Sequence, residues 1–598
     1  MKTYNTVRIP RMLVILCLII PVFLFTSCNK IDMSSDEWHS NFKQQDINSK
    51  VISSVSGFVT NQTGDAVQGA AVQFGSGMVT TDEYGYFEVT DAEVSGNAAV
   101  VTVIKSGYFN GIKTYIAASN ESAFFRIKLI PKTNAGSLNA AAGGKITLGN
   151  GLSILFPANA IINAGTGAVY NGTVNVAAFW IDPLAGDLDE IMPGDLRGVT
   201  TGGDMKKLTS YGMAAVELTD ASGNKLQIAP GNKATMTMPV AAEILSYAPA
   251  SIPLWYFDEA KGLWEEQGSA IKNGNVYVGE VSHFSFWNYD SPDSYVQFNC
   301  TALNAAGAPL QNVLIKIYAV NKPNNVSYGF TNAHGYAAGL VPANTVLQLE
   351  VMGDVACNTP VYVQTFTSAT SNISLAPIRV NASAGMATVS GTLTDCNNNT
   401  VSNGGILMQK NNQYYRYATD QKGSYNFTTP LCNTTAVVNL IAYNAAAAQY
   451  SIATDHTITT GTNTVIDMKA CGVKSQQFIN YNIDGVDYSF TYPASAFAPV
   501  TPNTHFTFAV TNEMDHSHAG FQFLGTYTGI YNNLPLTYFT ASQLPESVTL
   551  TDPVLVTITE NGADGQIFAG HFSGVFRGAA PGNRTYNISC SFRVKCQL

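Results

Sequence analysis

The sequence predicts an all-β protein built from several β-sandwich domains in tandem. Only 12% of the 598 residues are charged, whereas roughly 25% is usual. The polar positions are filled mainly by Asn, Thr, Ser and Gly, which suit strands and turns. One turn sequence, TTDEYGYFEV at 80–89, returns as ATDQKGSYNF at 418–427 and more loosely as FTNAHGYAAG at 330–339. The length predicts about four to six domains.

Residues 1–27 are predicted to be a signal peptide. A basic start precedes an apolar run from Met12 to Phe25. This run is shorter than the ~20 residues that a membrane-spanning helix needs, which favours a cleaved export signal. The residues FTS before Cys28 resemble the lipobox of bacterial lipoproteins, in which the cysteine is diacylated and becomes the first mature residue. The resemblance implies lipidation at Cys28, and the polar residues 28–50 are predicted to form a flexible tether. The alternative is an ordinary signal peptide or an uncleaved anchor, in which Cys28 has no special role.

Residues 51–133 are the first predicted sandwich. Short strand–turn–strand patterns begin at Val55, and the motif Thr81-Asp82-x-x-Gly85 reverses the chain. The Asp side chain caps such a turn, and Gly adopts the positive φ that other residues resist. Turn geometry therefore explains the recurrence of the motif without any catalytic chemistry.

This arrangement resembles the carboxypeptidase regulatory-like domain, a small transthyretin-like or Ig-like β-sandwich. The pattern recurs over 381–471, which contains SGTLTDCNNNT and TDQKGSYNF. It recurs more loosely over 293–380, where Asn332 replaces the Asp and Ala337 replaces the aromatic residue. In that family the domain supplies no catalytic residues, so the resemblance implies three modules without catalytic groups of their own.

Residues 134–292 follow a different β pattern. GGKITLGNGLSILF predicts a hairpin with its turn at Asn150-Gly151. IPLWYFDEAKGLWEEQ predicts a second hairpin with its loop at 258–262, which places Tyr256 opposite Trp264. The segment resembles the ZU5-like β-rich region that lies beside regulatory-like domains in bacterial surface proteins.

Residues 472–598 are predicted to form a last β domain that ends on the strand NISCSFRVKCQL. The residues of this strand alternate cleanly between apolar and polar. The side chains predicted to face the core are Ile588, Cys590, Phe592, Val594 and Cys596.

The cysteines predict disulfides rather than a metal site. None of the nine lies in a C-x-x-C pair, which argues against a zinc site or a thioredoxin-like redox site. The predicted export of the protein permits disulfides. The predicted pairs are Cys300–Cys357 and Cys396–Cys432, each inside one module.

Three cysteines remain near the C-terminus. Cys590 and Cys596 cannot bridge each other along one strand, because about six steps of ~3.3 Å exceed the Cα separation of about 4.4–6.8 Å that a disulfide allows. Cys471 is free to pair with either of them. Buried free thiols are the alternative for several of these cysteines.

Two clusters carry metal-ligand residue types. In NEMDHSHAG at 512–520, His516 and His518 would share one face of a strand beside Asp515, and an open position on a metal there would support hydrolysis. A polar loop is the alternative reading.

The second cluster is DPLAGDLDE at 182–190, which offers oxygen ligands to calcium but lacks the regular spacing of a dedicated loop. A solvated turn is the alternative, and no other cofactor is expected. The acidic residues in question are Asp182, Asp187, Asp189 and Glu190.

Aromatic residues suggest a sugar-stacking surface formed by Trp255, Tyr256 and Trp264, with core packing as the alternative. The sequence contains no G-x-S-x-G, H-E-x-x-H, G-x-x-x-x-G-K or G-x-G-x-x-G motif. The nearest paired carboxylates are Glu265 and Glu266, which would point to opposite faces of a strand.

These observations predict a non-enzymatic lipoprotein of a Gram-negative outer membrane, on its cell-surface or periplasmic face, that binds a glycan or protein ligand or mediates adhesion. Each module is expected to be held by its own core. The membrane is contacted through the lipid anchor. The net charge of −10 and the lack of a basic cluster argue against a nucleic-acid partner. The alternatives are an exported hydrolase with its site in 134–292 or 472–598, and a structural spacer.

Overall fold

A computed structural model describes most of the chain from residue 49 onwards. The described residues are 49–354, 359–381, 385–445, 447, 449–471, 478–491, 495–497, 506–511, 518–523, 534–542, 544, 548–550, 554–561, 567–578 and 584–597. All of them belong to one compact unit, Gln44–Leu598. The predicted all-β fold is confirmed, because the described part consists of strands with two short helical turns. No helix among the described residues is long and apolar enough to cross a membrane.

Module 1 (residues 51–133) consists of two sheets with a common core. A three-stranded sheet has the order β4-β1-β7 and a four-stranded sheet the order β3-β2-β5-β6. Val59 and Phe87 from the first sheet pack with Val72 and Val103 from the second, which makes the module a sandwich. Its strands are β1 (Lys50–Thr60), β2 (Ala71–Phe74), β3 (Gly77–Thr80), β4 (Tyr86–Ser95), β5 (Ala99–Ile104), β6 (Gly111–Tyr115) and β7 (Ser122–Lys128).

The middle domain (residues 134–292) contributes a 13-stranded sheet. The helical turns in it are α1 (Leu188–Ile191) and a 3-10 turn, Ala242–Tyr247. Its strands are β8 (Asn134–Asn139), β9 (Gly144–Thr147), β10 (Ser153–Phe156), β11 (Ile161–Asn163), β12 (Thr173–Ile181), β13 (Arg197–Val199), β14 (Met205–Thr219), β15 (Lys225–Ile228), β16 (Ala234–Pro239), β17 (Ser251–Asp258), β18 (Leu263–Asn273), β19 (Val276–Val281) and β20 (Phe286–Asp293).

Two hairpins of the middle domain test the turns and strand pairings predicted from the sequence. β9 and β10 pair across the turn that contains Gly151, whose φ is 96°, as predicted. In the β17–β18 hairpin Asp258 pairs with Leu263, so Phe257 lies opposite Trp264. The predicted pairing of Tyr256 with Trp264 is therefore wrong by one position. Because side chains alternate along a strand, this register places Trp264 on the buried face with Phe257.

Module 2 (residues 293–380) has two four-stranded sheets, of which one has the order β23-β22-β25-β26 and the other is centred on β21. Cys300 and Ile317, from different sheets, lie in one core. Its strands are β21 (Tyr295–Asn304), β22 (Leu314–Ala319), β23 (Lys322–Phe330), β24 (Tyr336–Pro342), β25 (Val346–Met352), β26 (Pro360–Thr367), β27 (Ile373–Ser374) and β28 (Ile378–Val380).

Module 3 (residues 381–471) repeats this plan with a four-stranded and a five-stranded sheet. In the first sheet β29 is central, and in the second β30 and β33 are. Its strands are β29 (Met386–Thr394), β30 (Gly404–Lys410), β31 (Gln413–Ala418), β32 (Ser424–Pro430), β33 (Thr435–Asn444), β34 (Gln449–Tyr450), β35 (Thr454–Thr459), β36 (Asn463–Val465) and β37 (Met468–Lys469).

The last domain (residues 472–598) contributes a 10-stranded sheet. In its final strand Ile588, Cys590, Phe592 and Val594 are buried, as predicted, while the Cys596 side chain lies outside the described residues. The strands are β38 (Phe478–Ile483), β39 (Val486–Thr491), β40 (Ser495–Phe497), β41 (Phe506–Thr511), β42 (His518–Phe523), β43 (Leu534–Ala541), β44 (Val548–Leu550), β45 (Leu555–Asn561), β46 (Ile567–Gly578) and β47 (Thr585–Gln597).

The repeated turn has the same hydrogen bonds in all three modules. Oδ1 of Asp82 accepts from the backbone N–H groups two and four residues later, at 2.9 and 2.9 Å. Asn332 does so at 2.9 and 3.1 Å, and Asp420 at 2.8 and 2.9 Å. The following glycines, such as Gly85 with φ 73° and Gly423 with φ 74°, are left-handed. The geometric explanation of the repeat is confirmed.

The disulfide in module 3 differs from the predicted pair. Cys396 is bonded to Cys471, with a Cα–Cα distance of 4.9 Å, and Cys432 takes part in a different disulfide. The predicted Cys396–Cys432 pair is therefore wrong. The physical reason is the parallel pairing of β29 with β37, which places Thr394 beside Lys469. Both strands run in the same direction, so Cys396 and Cys471, which each follow two residues after this pair, lie next to each other.

The predicted Cys300–Cys357 pair is also not formed. Cys300 is a free, buried thiol, because it lies with Phe298 and Ala302 on the inward face of β21 and packs in the core of module 2. Cys357 lies outside the described residues. Cys590 is likewise free and buried, so Cys471 pairs with neither of the cysteines proposed for it.

The modules do not rely on separate cores alone, contrary to the prediction. Phe58 and Phe124 of module 1 form one buried cluster with Leu407 and Ile441 of module 3. A second cluster combines residues of module 1, the middle domain and module 2. Apolar burial of this kind stabilises association between domains, so the modules are fixed against one another.

Candidate functional site

A cavity of about 440 Å³ lies where the three modules and the middle domain meet. We call it the polar cleft. It brings together side chains that are far apart in the sequence and that carry charges, amides or aromatic rings. Those considered below are Phe58, Arg126, Lys128, Asp187, Asp189, Glu190, Gln311, Asn312, Phe330, Asp354, Asn411, Asn412, Gln413, Tyr415 and Tyr417.

Strand β7 supplies the two cations of the cleft. Arg126 and Lys128 are two residues apart and therefore share one face of the strand. Arg126 is buried; its Nη2 donates to the Tyr414 carbonyl at 2.8 Å, and its guanidinium lies 4.6 Å from the centre of the Tyr415 ring. These contacts hold the guanidinium in a fixed position at the wall of the cleft.

Helix α1 and the residue before it supply three acids. Lys128 Nζ lies 2.7 Å from an oxygen of Asp187 and 3.7 Å from one of Glu190. Burial raises the pKa of the Asp189 carboxyl, and the nearby Glu190 carboxylate raises it further. Beneath the helix, Lys113 Nζ donates to the Asp189 carbonyl at 2.6 Å. The two lysines thus hold the acidic turn in position.

The predicted calcium donors are not gathered around one point. Asp182 Oδ1 accepts from the Leu184 backbone at 2.9 Å and caps its own loop, while Asp187 and Glu190 face Lys128. Throughout the described ranges, no group of three or more His, Cys, Asp or Glu residues is arranged to hold a metal ion.

The β30–β31 hairpin contributes amide groups to the lining of the cleft. Lys410 pairs directly with Gln413, so Asn411 and Asn412 form a two-residue turn. Their φ values are 51° and 63°, which is the type I′ geometry that favours Asn. Asn411 Nδ2 donates to Asp354 at 2.8 Å. The exposed Asn412 stands at the rim of the cleft.

A buried ion pair locks this hairpin against module 2. Lys410 Nζ lies 3.0 Å from Asp354 Oδ2, and both side chains are only 1% exposed. Lys410 Nζ also donates to the Thr429 hydroxyl at 2.9 Å and to the Pro430 carbonyl. Because every charge is compensated, the pair holds the two modules in one register at the cleft.

A second cavity of about 170 Å³ lies beside the polar cleft, between module 1, the middle domain and module 2. Asp189 and Phe330 line both cavities. Lys207 lies in its wall and donates to the Val326 carbonyl at 2.7 Å. Burial lowers the pKa of Lys207 to about 8. These contacts also tie the middle domain to module 2.

The predicted sugar-stacking residues do not form a surface. Trp255 and Trp264 have no exposed area, and their ring N–H groups donate to the backbone carbonyls of Asp290 and Asp195. Tyr256 packs with its ring 4.8 Å from that of His283. The stacking prediction is wrong for the tryptophans, because the register of the β17–β18 hairpin turns both into the core.

The other predicted site residues fall largely outside the described part. This applies to Cys28, Asp515 and His516. His518 begins β42, where its backbone pairs with Thr511, and its side chain lies outside the described residues. The metal and lipidation predictions therefore remain predictions.

The adjacent acids Glu265 and Glu266 are engaged separately. Glu265 forms an ion pair with Lys261 at 3.0 Å, and Glu266 Oε2 accepts from the Thr201 backbone at 3.0 Å. They do not converge on a common point, so they do not form the carboxylate pair that glycoside hydrolysis needs.

The polar cleft itself was not predicted from the sequence. Two features of the sequence pointed towards it. The first is the consecutive Asn411 and Asn412 between two β patterns, which indicate a type I′ hairpin; the tip of such a hairpin is a common place for ligand contacts. Arg126 and Lys128 gave a second signal, because alternating cations are unusual in a chain with so few charges. Neither signal reveals which modules come together.

The site is thus a cleft between β-sandwich modules of an all-β protein. The chain matches no protein-family profile. Over 229 residues it is 27% identical to cartilage intermediate layer protein 2 of Mus musculus, covering 36% of this chain and 19% of that protein. Over 126 residues it is 29% identical to the Homo sapiens protein of the same name, covering 20% and 10%. The chain therefore spans a fifth or less of these relatives.

Similar solved structures include the minor pilin GBS52 of Streptococcus agalactiae, with a TM-score of 0.14, 10% identity and coverage of 30% of this chain and 96% of that one. The shaft pilin spaA of Lactobacillus rhamnosus GG has a TM-score of 0.17 and 12% identity, and the match covers 30% of this chain and 99% of the pilin. The Bacillus anthracis TIE protein has a TM-score of 0.14 and 11% identity, and the match covers 84% of this chain and 70% of that protein. None of these similarities assigns a family or an activity to the chain.

Proposed function

We propose that this protein is a non-enzymatic, lipid-anchored binding scaffold of the bacterial cell envelope, and that its ligand occupies the polar cleft. The observation that carries the proposal is the cleft itself: about 440 Å³, lined by polar side chains from the middle domain and all three modules. Clefts of roughly 300–1,000 Å³ between domains are common ligand sites. Modules 1, 2 and 3 are proposed to be regulatory-like domains that build it.

The anchor rests on the sequence around Cys28, which follows an apolar run and the residues FTS. Two acyl chains on one cysteine are enough for stable attachment to a membrane. We expect the protein to lie at the outer membrane, on the cell surface or the periplasmic face. Labelling of growing cells with a palmitate analogue tests this, since wild type is expected to incorporate label and Cys28→Ser to lose it.

Hydrolysis in the same cleft is the competing function. Asp189 and Glu190 both line the cavity, and burial raises the pKa of Asp189, as it does for many catalytic acids. Binding is favoured because Lys128 neutralises the neighbouring Asp187 and Glu190. The sequence also lacks the nucleophile motifs of common hydrolases.

The test is a screen of the full chain, held in a detergent without a sugar head group, against immobilised glycans and envelope proteins. Asn412→Gly is the informative variant. It removes one amide from the rim, and glycine tolerates the positive φ at this position. Asn159→Gly is the matched control, since Asn159 also has a positive φ of 57° and does not line the cleft.

We expect at least one ligand whose binding weakens in Asn412→Gly and not in Asn159→Gly. Release of products from a bound ligand, lost in Asp189→Asn, would show a hydrolase. Absence of any ligand for wild type would support a structural spacer instead and would contradict the proposal.

A further inference from the structure

The amide groups of the polar cleft set the chemistry of what it binds. Five amide side chains line it. Asn411 already donates to Asp354 and Gln413 accepts from the Tyr415 hydroxyl, and the remaining amide N–H groups and oxygens can donate to or accept from a ligand. Modules 2 and 3 contribute all five. These residues are Gln311, Asn312, Asn411, Asn412 and Gln413. Such a lining matches a ligand with many hydroxyl groups, each of which also donates and accepts.

Buried aromatic rings provide an apolar floor. Phe58, Tyr415 and Tyr417 line the cleft with exposures of 2%, 7% and 3%. They are fixed by their own packing, since the Tyr417 ring is stacked on Phe427. Arg126 and Lys410 lie over the Tyr415 ring. The rings therefore form a closed base for the cleft, and the amide groups are left to make the contacts with a ligand.

The charges of the cleft count against an anionic ligand. Its four acids are Asp187, Asp189, Glu190 and Asp354, and its two cations are Arg126 and Lys128. The cations are engaged: Arg126 by the Tyr414 carbonyl and an aromatic ring, and Lys128 by two carboxylates. Asp354 is compensated by Lys410. A carboxylate, sulfate or phosphate on the ligand would therefore meet the carboxylates of the α1 turn and no unengaged cation among the lining residues, which disfavours its binding.

The size of the cleft limits the length of the ligand. A cavity of about 150 Å³ holds one benzene ring. The cleft, at about 440 Å³, therefore has room for about two substituted six-membered rings. Longer chains would extend past the exposed rim at Asn412 and Gly186.

We propose that the polar cleft binds a neutral saccharide, with about two sugar units held inside it, and discriminates against acidic glycans. This inference rests on the proposed binding function and specifies its ligand class. Recognition comes from the amides of modules 2 and 3. Discrimination comes from the carboxylates of the α1 turn and from the lack of an unengaged cation among the lining residues.

The experiment compares matched neutral and acidic ligands by titration calorimetry of the full chain in an amine-oxide detergent. The neutral probes are cellobiose, maltose, mannobiose and diacetylchitobiose. For each neutral disaccharide that binds, the acidic partner carries one uronic acid in place of a neutral sugar. We expect the neutral member to bind at least about tenfold more tightly, and added salt to narrow the gap, because screening weakens repulsion.

Two variants separate the contribution of the amide groups from that of the carboxylates. Asn412→Gly is expected to weaken neutral binding about 3- to 10-fold, the loss of one or two hydrogen bonds, while Asn159→Gly leaves it unchanged. Asp187→Asn is expected to strengthen binding of the acidic partner relative to the neutral disaccharide, so that the ratio of the two affinities falls. Asp187 suits this test because its side chain is 39% exposed.

The outcomes distinguish this inference from the broader function. Acidic saccharides or peptides that bind more tightly than neutral sugars, with sensitivity to Asn412→Gly, would overturn the neutral-saccharide inference and leave the binding function standing. If none of the neutral probes binds while the wider screen finds a ligand, the inference fails alone. If nothing binds in either experiment, both fail.

Discussion

At the scale of single residues, Glu83 couples the stability of the fold to pH. It lies in the repeated turn of module 1. Burial raises the pKa of its carboxyl from 4.5 to about 7, Asp82 adds to the rise, and Arg593 and Arg416 oppose it. Folding therefore binds a proton that unfolding releases. The stabilisation from this group is complete below about pH 4.5 and is lost as the pH rises to about 7.

We expect the midpoint of thermal unfolding to fall between pH 4.5 and 7 more steeply in wild type than in Glu83→Gln. Calorimetry of the full chain at several pH values measures this. The control is Glu93→Gln, at an exposed position of the same module. Equal slopes for the two variants would contradict the prediction.

The exposed turns act in a separate pH range. Hydrogen bonds from Asn224 and Asn399 lower the pKa values of Asp220 and Asp395 below the ordinary 3.8. Stability from these groups is present above about pH 4 and is lost only as the pH falls further. They therefore do not obscure the difference between wild type and Glu83→Gln from pH 4.5 to 7. Asp189, whose pKa is also raised to about 7, contributes to the pH dependence of both proteins.

At the scale of elements, the repeated turn needs glycine for two reasons that can be separated. Gly85 has φ 73°, and a Cβ there would meet the Val59 carbonyl oxygen at 2.3 Å. Gly64, in the same module, has φ 87° but open space around it. The left-handed conformation costs an alanine about 1–2 kcal/mol, and only at Gly85 does the clash with backbone add to it.

We expect Gly64→Ala to lower the stability of module 1 by about 1 kcal/mol and Gly85→Ala by at least about 3 kcal/mol. Amide hydrogen exchange in β1 and β4 measures the stability of the module locally. Similar losses for the two variants would mean that the close approach to Val59 does not constrain the turn.

Hairpins marked by a strong local sequence motif could be located from the sequence, but the pairing register of their strands was harder to predict. The Asn150-Gly151 hairpin follows from a dipeptide whose conformation is nearly fixed. The β17–β18 hairpin was located correctly, but its loop length decided whether Tyr256 or Phe257 faces Trp264. A one-residue shift reverses the faces of a strand, which is why the predicted sugar-stacking residues lie in the core.

At the scale of the whole molecule, the sequence predicted sandwiches and missed how they meet. Turn motifs and alternation are local, so the all-β class was predictable. The disulfide of Cys396 with Cys471 depends on a parallel ladder closed across 75 residues. The polar cleft depends on side chains from residue 58 to residue 430. Contacts of such long range leave no pattern in a single sequence.

The buried pair of Asp354 and Lys410 offers a direct test of coupling between modules 2 and 3. Both side chains are 1% exposed and their charged atoms lie 3.0 Å apart. Replacing either residue alone leaves an uncompensated buried charge, which costs about 3–5 kcal/mol. Replacing both with apolar residues of similar size removes the two charges together, so most of that cost is recovered.

We therefore expect Asp354→Leu and Lys410→Met each to lower the stability of both modules by about 3–5 kcal/mol, and the double variant to lose much less than the sum. Hydrogen exchange in β25 and β30 reports the two modules separately. The exposed pair Lys233–Glu280, with side chains 57% and 62% exposed, is the control and should show a coupling below about 1 kcal/mol. Additive losses at Asp354 and Lys410, each confined to its own module, would mean that the modules fold independently and that the cleft between them is not held open by this contact.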